Sequence, residues 1–199
     1  MFIDVCLPKD NEEKFIEIAE KLGTSGLLFL YDKQEKNLSG LREKTKLKLY
    51  AGLIVKTNTN KPGIMFAKGE QQNMENRNLR FMYDFEEIEQ KDSFHYRRSG
   101  ANQVLANIMK EKNKVMVFDM EKIFTSLRQK EFLLGRMTQN LMLAKKYKLD
   151  TIICSFATKP ENLRAEKEYA SLIRVFGYEE LAKIATENLQ ILLTNDELK

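Results

Sequence analysis

Apolar residues in this chain fall into short continuous runs, separated by stretches where they recur every three or four positions. Phe2–Cys6 predicts a strand. Asn11–Leu22 predicts a helix with Phe15, Ile18, Ala19 and Leu22 on one face. Gly23-Thr-Ser-Gly26 breaks that helix and opens a second strand, Leu27–Tyr31. After a polar stretch come a strand at Leu47–Val55 and weaker strands at Ile64–Ala67 and Leu79–Tyr83, with a polar loop or short helix, Gly69–Asn78, between those two. Ser99 is a plausible N-cap for a helix over Gly100–Lys112 that buries Val104, Leu105, Ile108 and Met109. Val115–Phe118 predicts a strand ending at Asp119. A long helix is expected from about Thr125 to Lys146, then a buried strand at Thr151–Phe156. Helices over Glu161–Phe176 and Tyr178–Asn188 follow, with Leu189–Leu193 as a possible last strand.

Strands buried on both faces and separated by helices predict a parallel sheet. About seven of them in one domain favour a closed or nearly closed TIM-like (β/α) barrel over an open doubly wound sheet. Residues 1–199 are therefore expected to form a single barrel domain of the α/β class.

Composition excludes some alternatives. A hydrophobic share of 43% with 31% charged residues is that of a folded globular protein, not a disordered one. No apolar run approaches the roughly 18 residues of a membrane span, and the opening Met-Phe-Ile-Asp-Val-Cys does not read as a signal peptide. Cys6 and Cys154 both sit in apolar runs, which predicts buried, reduced thiols and a cytoplasmic protein. The net charge of +4 is unevenly distributed. Residues 95–174 hold 16 Lys and Arg against 8 Asp and Glu, whereas residues 1–94 hold 15 against 16. That positive segment suits a polyanionic partner or, more simply, a solvated helical face.

The candidate chemistry is narrow. His95 is the only histidine, so a histidine-rich metal centre is excluded, as is any histidine-dependent triad not built on it. Asp4 and Asp119 fall near strand ends, where barrel enzymes keep catalytic groups; a carboxylate there can also cap a loop or pair with arginine. In His95-Tyr-Arg-Arg-Ser-Gly-Ala-Asn102 two arginines stand just before a helix. Guanidinium forks, helix N–H groups and the Ser99 hydroxyl could clamp a phosphate, and Tyr96 and His95 could stack on unpaired bases. The alternative is an exposed loop whose arginines pair with nearby acids. On the long helix Leu134, Met137, Leu141 and Ala144 form one stripe, with Arg128, Arg136 and Lys146 roughly opposite as a basic ridge.

At these residues the chain resembles a known family. Arg97-Arg98-Ser-Gly-Ala-Asn-Gln-Val-Leu-Ala followed by Val115-Met-Val-Phe-Asp119 is similar to a signature of archaeal ribonuclease P protein component 3, the counterpart of the thirty-kilodalton eukaryotic subunit. The order continues through Leu134-Gly-Arg-Met-Thr-Gln-Asn-Leu, Ala144-Lys-Lys-Tyr, Cys154-Ser155, Asn162-Leu-Arg-Ala and Leu172-Ile. Ala19-Glu-Lys-Leu-Gly-Thr-Ser-Gly26 also fits. The resemblance spans nearly the whole chain, most strongly residues 94–177.

It implies a barrel related to the polymerase-and-histidinol-phosphatase metallo-phosphoesterases, and membership of a ribonucleoprotein that removes the 5′ leader from precursor tRNA. The expected partners are ribonuclease P RNA, a small ferredoxin-like protein subunit with other ribonuclease P proteins, and precursor tRNA. RNA would supply the active site, so the protein is expected to hold no catalytic residue and no metal or cofactor, with Mg²⁺ required by the RNA. Where the related phosphoesterases carry His-x-His on strand one, this chain reads Asp4-Val-Cys6. RNA contact is expected at Arg97 or Arg98, Arg136 and Arg164, supported by Arg128, Lys145 and Lys146. The competing expectation is a free-standing barrel phosphoesterase using Asp4, Asp119 and His95.

Overall fold

The computed structural model describes residues 1–56, 63–86, 92, 97–126 and 130–196. The chain order begins β1 (Ile3–Cys6), α1 (Glu12–Leu22), β2 (Gly26–Tyr31), α2 (Ser39–Arg42) and β3 (Lys48–Val55). It continues with β4 (Met65–Lys68), α3 (Gln71–Glu75), β5 (Phe81–Tyr83), α4 (Gln103–Glu111) and β6 (Val115–Asp119). Last come α5 (Glu121–Thr125), α6 (Lys130–Tyr147), β7 (Asp150–Cys154), a 3₁₀ turn (Pro160–Asn162), α7 (Glu166–Val175) and α8 (Glu179–Asp196). The strands follow each other in sequence order. A doubly wound sheet would instead reverse at a switch point, so this is the order of a (β/α) barrel. The described residues group into two compact units.

One unit comprises Met1–Ile54 and Ile152–Lys199. Its strands β1, β2 and β3 pair in parallel, Val5 opposite Leu28 and Phe29 opposite Ala51. Every residue of β1 and β2 is buried, as expected of strands covered on both faces. Phe15, Ile16 and Ala19 of α1 pack with Leu27, Phe29, Leu49 and Leu163 in one apolar cluster. Gly26 has a steric reason: a Cβ there would meet the Lys48 carbonyl oxygen at 2.5 Å.

The other unit is Val55–Thr151. Here β4, β5 and β6 pair in parallel, and the Phe66 and Phe81 rings stack at 4.6 Å. Helix α6 buries Leu133, Met137, Asn140, Leu141 and Ala144, and with them Arg136.

Several expectations need correction. Leu189–Leu193 is not a strand but part of α8, in which Leu181, Ala185, Leu189, Leu192 and Leu193 recur at helical spacing and are buried. Helix α4 begins at Gln103, three residues later than expected. Asn102, not Ser99, is the N-cap, accepting from the Leu105 N–H at 2.9 Å, and Val104 is 66% exposed. The segment Glu161–Phe176 divides into the 3₁₀ turn and α7. Arg136 lies on the buried face of α6, not on an outer ridge. Arg128, His95 and Tyr96 lie outside the described residues. No helix among the described residues is long and apolar enough to cross a membrane.

Candidate functional site

In the unit 55–151, polar side chains gather at the C-terminal ends of the strands, the end where barrels build sites. Lys68 closes β4, Asp84 and Glu86 follow β5, and Asp119 closes β6. Asp84 adopts a left-handed backbone, φ 68°, which costs a residue with a Cβ and persists only when its surroundings enforce it. The enforcement is ionic. Its buried carboxylate takes Lys68 Nζ at 2.8 Å on one oxygen and Lys122 Nζ, from α5, on the other. Asp119 accepts from the Glu121 N–H at 2.9 Å and so shapes the start of α5.

A second layer runs from Glu86 into α6. Asn140 Nδ2 donates to Glu86 Oε1 at 2.7 Å, and Ser99 Oγ donates to Asn140 Oδ1 at 2.6 Å. Arg136 Nη1 donates to the Glu86 carbonyl at 2.7 Å. Its Nε and Nη2 both meet Asp92 Oδ1 at 2.8 Å. Asp92 also accepts the Arg98 N–H at 2.8 Å. Arg97 Nη1 donates to the Gly135 carbonyl at 3.1 Å, and its guanidinium covers the space a Cβ on Gly135 would fill. The loop before α4 is thus tied to α6 through its arginines.

Burial governs the protonation of these acids. It raises Glu86 to about 7 and Asp119 to about 8, with the charge of Asp84 adding to both shifts. Asp92 moves the other way: its partial desolvation is outweighed by the Arg98 N–H and by Arg136.

In the other unit Asp4 acts as a clamp. Its Oδ1 accepts from the Val5 and Ser155 N–H groups at 2.8 and 2.7 Å, while Ser155 Oγ donates to the Val5 carbonyl at 2.9 Å. Asp4 Oδ2 is buried with no partner among the described residues, and burial raises the carboxyl to about 7. Cys6 and Cys154 are buried. Arg164 donates from Nη1 to the carbonyls of Glu161 and Leu163, at 3.0 and 2.8 Å, and lies 3.8 Å from Glu168.

The predicted RNA-contact residues therefore divide by exposure. Arg97, Arg98, Lys145 and Lys146 are exposed, Arg164 is about one-third exposed, and Arg136 is buried. Lys146 lies over the Tyr147 ring, 5.4 Å from its centre. The sequence reading picked out Asp119 but missed Lys68, Asp84, Glu86, Lys122 and Asn140. The strand-end rule that flagged Asp119 applies equally to Asp84 and Glu86, just after β5.

No protein-family profile matches the sequence, and no curated protein matches it. Solved structures do resemble it. A chain in the cryo-EM structure of an archaeal ribonuclease P with mature tRNA superposes with a TM-score of 0.81 at 19% identity. That match covers 98% of this chain and 91% of the other. Histidinol phosphate phosphatase from Lactococcus lactis, solved with zinc, L-histidinol and phosphate, superposes at 0.60 with 11% identity, covering 91% and 93%. These likenesses show the fold to be a (β/α) barrel.

The described residues do not fit a metal centre. The described residues hold no group of three or more His, Cys, Asp or Glu able to hold a metal ion. Asp4 spends one oxygen on two N–H groups in a setting that favours its neutral form. Asp84 is neutralised by two ammonium groups, and burial favours neutral Glu86 and Asp119.

Proposed function

We propose that this chain is a protein subunit of a ribonuclease P ribonucleoprotein, binding its RNA and supporting removal of the 5′ leader from precursor tRNA. The observation that carries the proposal is the near full-length likeness, TM-score 0.81 over 98% of the chain, to a chain within an archaeal ribonuclease P assembled with tRNA. The poor fit of its described side chains to a metal centre counts against the alternative, a free-standing phosphoesterase.

In this reading the protein positions RNA and the RNA performs the chemistry. Arg97 and Arg98 present cations at the rim before α4, and Lys145 and Lys146 extend the positive surface. Arg128, outside the described residues, and Arg164 join this set. Arg136 serves as a positioning residue: through Asp92 it fixes the backbone from which Arg98 projects. Guanidinium forks match pairs of phosphate oxygens, whereas ammonium groups act as point charges. Mg²⁺ belongs to the RNA, whose phosphate oxygens suit a hard cation. The protein partners are a small ferredoxin-like subunit and the other proteins of the particle.

Reconstitution tests this. Ribonuclease P RNA, the other protein subunits and Mg²⁺ should cleave precursor tRNA better with this chain than without it. RNA-free protein should hydrolyse neither precursor tRNA nor simple phosphodiesters with any added divalent metal. Robust turnover by RNA-free protein, lost in Asp119→Asn, would establish the phosphoesterase instead.

A further inference from the structure

Among the described residues, four helices end with the same pair of backbone bonds, and two of them break the residue preference of that ending. Where α1 and α7 stop, Gly23 and Gly177 adopt φ values of 71° and 82°. There Thr24 N–H returns to the Ala19 carbonyl, and Tyr178 N–H to that of Ile173. This is the ordinary C-terminal motif, with glycine at the left-handed position. Helices α4 and α6 end alike, through Lys114 N–H to Met109 and Leu149 N–H to Ala144, at 2.8 and 3.0 Å. Their left-handed residues, however, are Asn113 (φ 52°) and Lys148 (φ 50°). Asparagine tolerates that conformation; lysine has no backbone reason to occupy it.

Both turns are lysine-rich, reading Lys110-Glu-Lys-Asn-Lys114 and Lys145-Lys-Tyr-Lys148. Lys110 Nζ donates to the Lys148 carbonyl at 2.8 Å, which brings the two turns side by side. Lys110, Lys112, Lys145, Lys146 and Lys148 are exposed, against the exposed acids Glu111 and Asp150. Among the described residues, no ion pair engages Lys112, Lys146 or Lys148. The helix dipole accounts for lysines in a last turn, namely Lys110, Lys145 and Lys146. It does not account for Lys112 and Lys148, which lie beyond the helix ends, nor for a lysine at a glycine position. The turns precede β6 and β7, at the N-terminal ends of strands, away from the rim that carries Arg97 and Arg98.

We infer that these paired turns form a second RNA-contact surface, which grips the sugar–phosphate backbone without reading sequence. The inference rests on the RNA-subunit proposal above and adds a footprint at the other end of α6. Ammonium groups without forks, with the Tyr147 ring already covered by Lys146, give charge neutralisation rather than base recognition.

The test is binding of a fluorescent precursor-tRNA transcript to the full chain across salt concentrations. Each duplex phosphate neutralised contributes about 0.9 to the log–log slope, so Lys112→Gln/Lys145→Gln/Lys146→Gln/Lys148→Asn should flatten it by up to about 3.6. Lys148→Gly separates charge from folding. It relieves the left-handed lysine, so it should melt no earlier than wild type yet lose about 0.9 of slope. If both variants keep the wild-type slope while Arg97→Gln/Arg98→Gln reduces it, RNA binds at the rim alone and this second surface is wrong. A flat salt profile for wild-type protein would sink the RNA-subunit reading along with it.

Discussion

Arg136→Ala separates a structural arginine from an RNA-binding one. The side chain is 6% exposed and makes two bonds to Asp92 and one to the Glu86 carbonyl, all between 2.7 and 2.8 Å. Each such charged hydrogen bond is worth about 1.5–3 kcal/mol, but the three share one guanidinium and do not add independently. The better guide is the cost of breaking a buried ion pair by removing one partner, about 3–5 kcal/mol. Asp92 retains some solvent contact, its side chain being 16% exposed, so the lower end of that range applies. In a chain of 199 residues each kcal/mol shifts the melting temperature by about 2–4 °C, giving an expected fall of roughly 6–12 °C. Thermal unfolding followed by circular dichroism measures this, with Asp92→Asn and the double variant closing a cycle. The double variant should cost less than the sum of the singles by at least about 1 kcal/mol. Arg136→Lys should recover little, because an ammonium cannot reach both Asp92 and the Glu86 carbonyl in the same geometry. Unchanged melting with a loss of RNA affinity would refute the structural reading and return Arg136 to the contact surface.

The remaining arginines should behave differently from one another. Arg98→Ala should weaken RNA binding by roughly 10- to 150-fold if one phosphate contact worth about 1.5–3 kcal/mol is lost, and unchanged binding to RNA would remove Arg98 from the contact surface. Arg164→Ala should also lower stability by about 1 kcal/mol, since its guanidinium serves the Glu161 and Leu163 carbonyls; a variant that melts normally but fails in RNA binding would show the contact to be its only role. Gly135→Ala gains up to about 1 kcal/mol of helix propensity but drives Arg97 from its seat, 2.5 Å from the added Cβ. Melting near wild type with weakened RNA binding is expected, and wild-type binding would mean that this seat is unimportant. Asp119, whose folded value is raised from 3.8 to about 8, keeps its proton in the folded state over a range where the unfolded chain has lost it. Its contribution therefore falls as pH rises through that window, and Asp119→Asn should flatten the pH–stability profile there, by a few kcal/mol at most. Chemical denaturation of both proteins from about pH 4 to pH 8 checks this, and parallel profiles would mean that the carboxyl is ionised in the folded state.

Much of the barrel was legible because its strands are short apolar runs bounded by breakers, and all seven begin within two residues of the expected place. The failures have local physical causes. Leu189–Leu193 has the composition of a buried strand, yet Ile191 within it is 57% exposed, and its leucines continue the spacing set by Leu181 and Ala185. A run of five cannot display its period; the eighteen residues of α8 can. Ser99 and Asn102 are both good N-caps, and tertiary structure decides between them. The Ser99 hydroxyl is taken by Asn140, leaving Asn102 to serve the helix.

The site was less legible because its logic is non-local. Arg136 reads as surface only while its partners are unknown, and those partners lie 44 residues back at Asp92 and 50 back at Glu86. The same holds for Asp84 with Lys122 and for Asn140 with Glu86, separated by 38 and 54 residues. Periodicity can say that a position faces inward, but not that a charge placed there will be met by an opposite one. Strand ends are the exception, because topology alone brings the residues after β4, β5 and β6 together, whatever their separation in sequence. Once that network is drawn, the acids and arginines inside it satisfy one another and offer little to a polyanion. The cations able to meet RNA are the exposed ones around the network: Arg98 at its rim and the lysines beyond the helix ends. The positive charge concentrated between residues 95 and 174 thus separates into an inner part that builds the unit and an outer part available to a partner. Comparing the salt slopes of Arg136→Ala and the lysine variants distinguishes them. The inner arginine should change stability and leave the slope of the folded protein intact, while the outer lysines should change the slope and cost far less stability than Arg136→Ala.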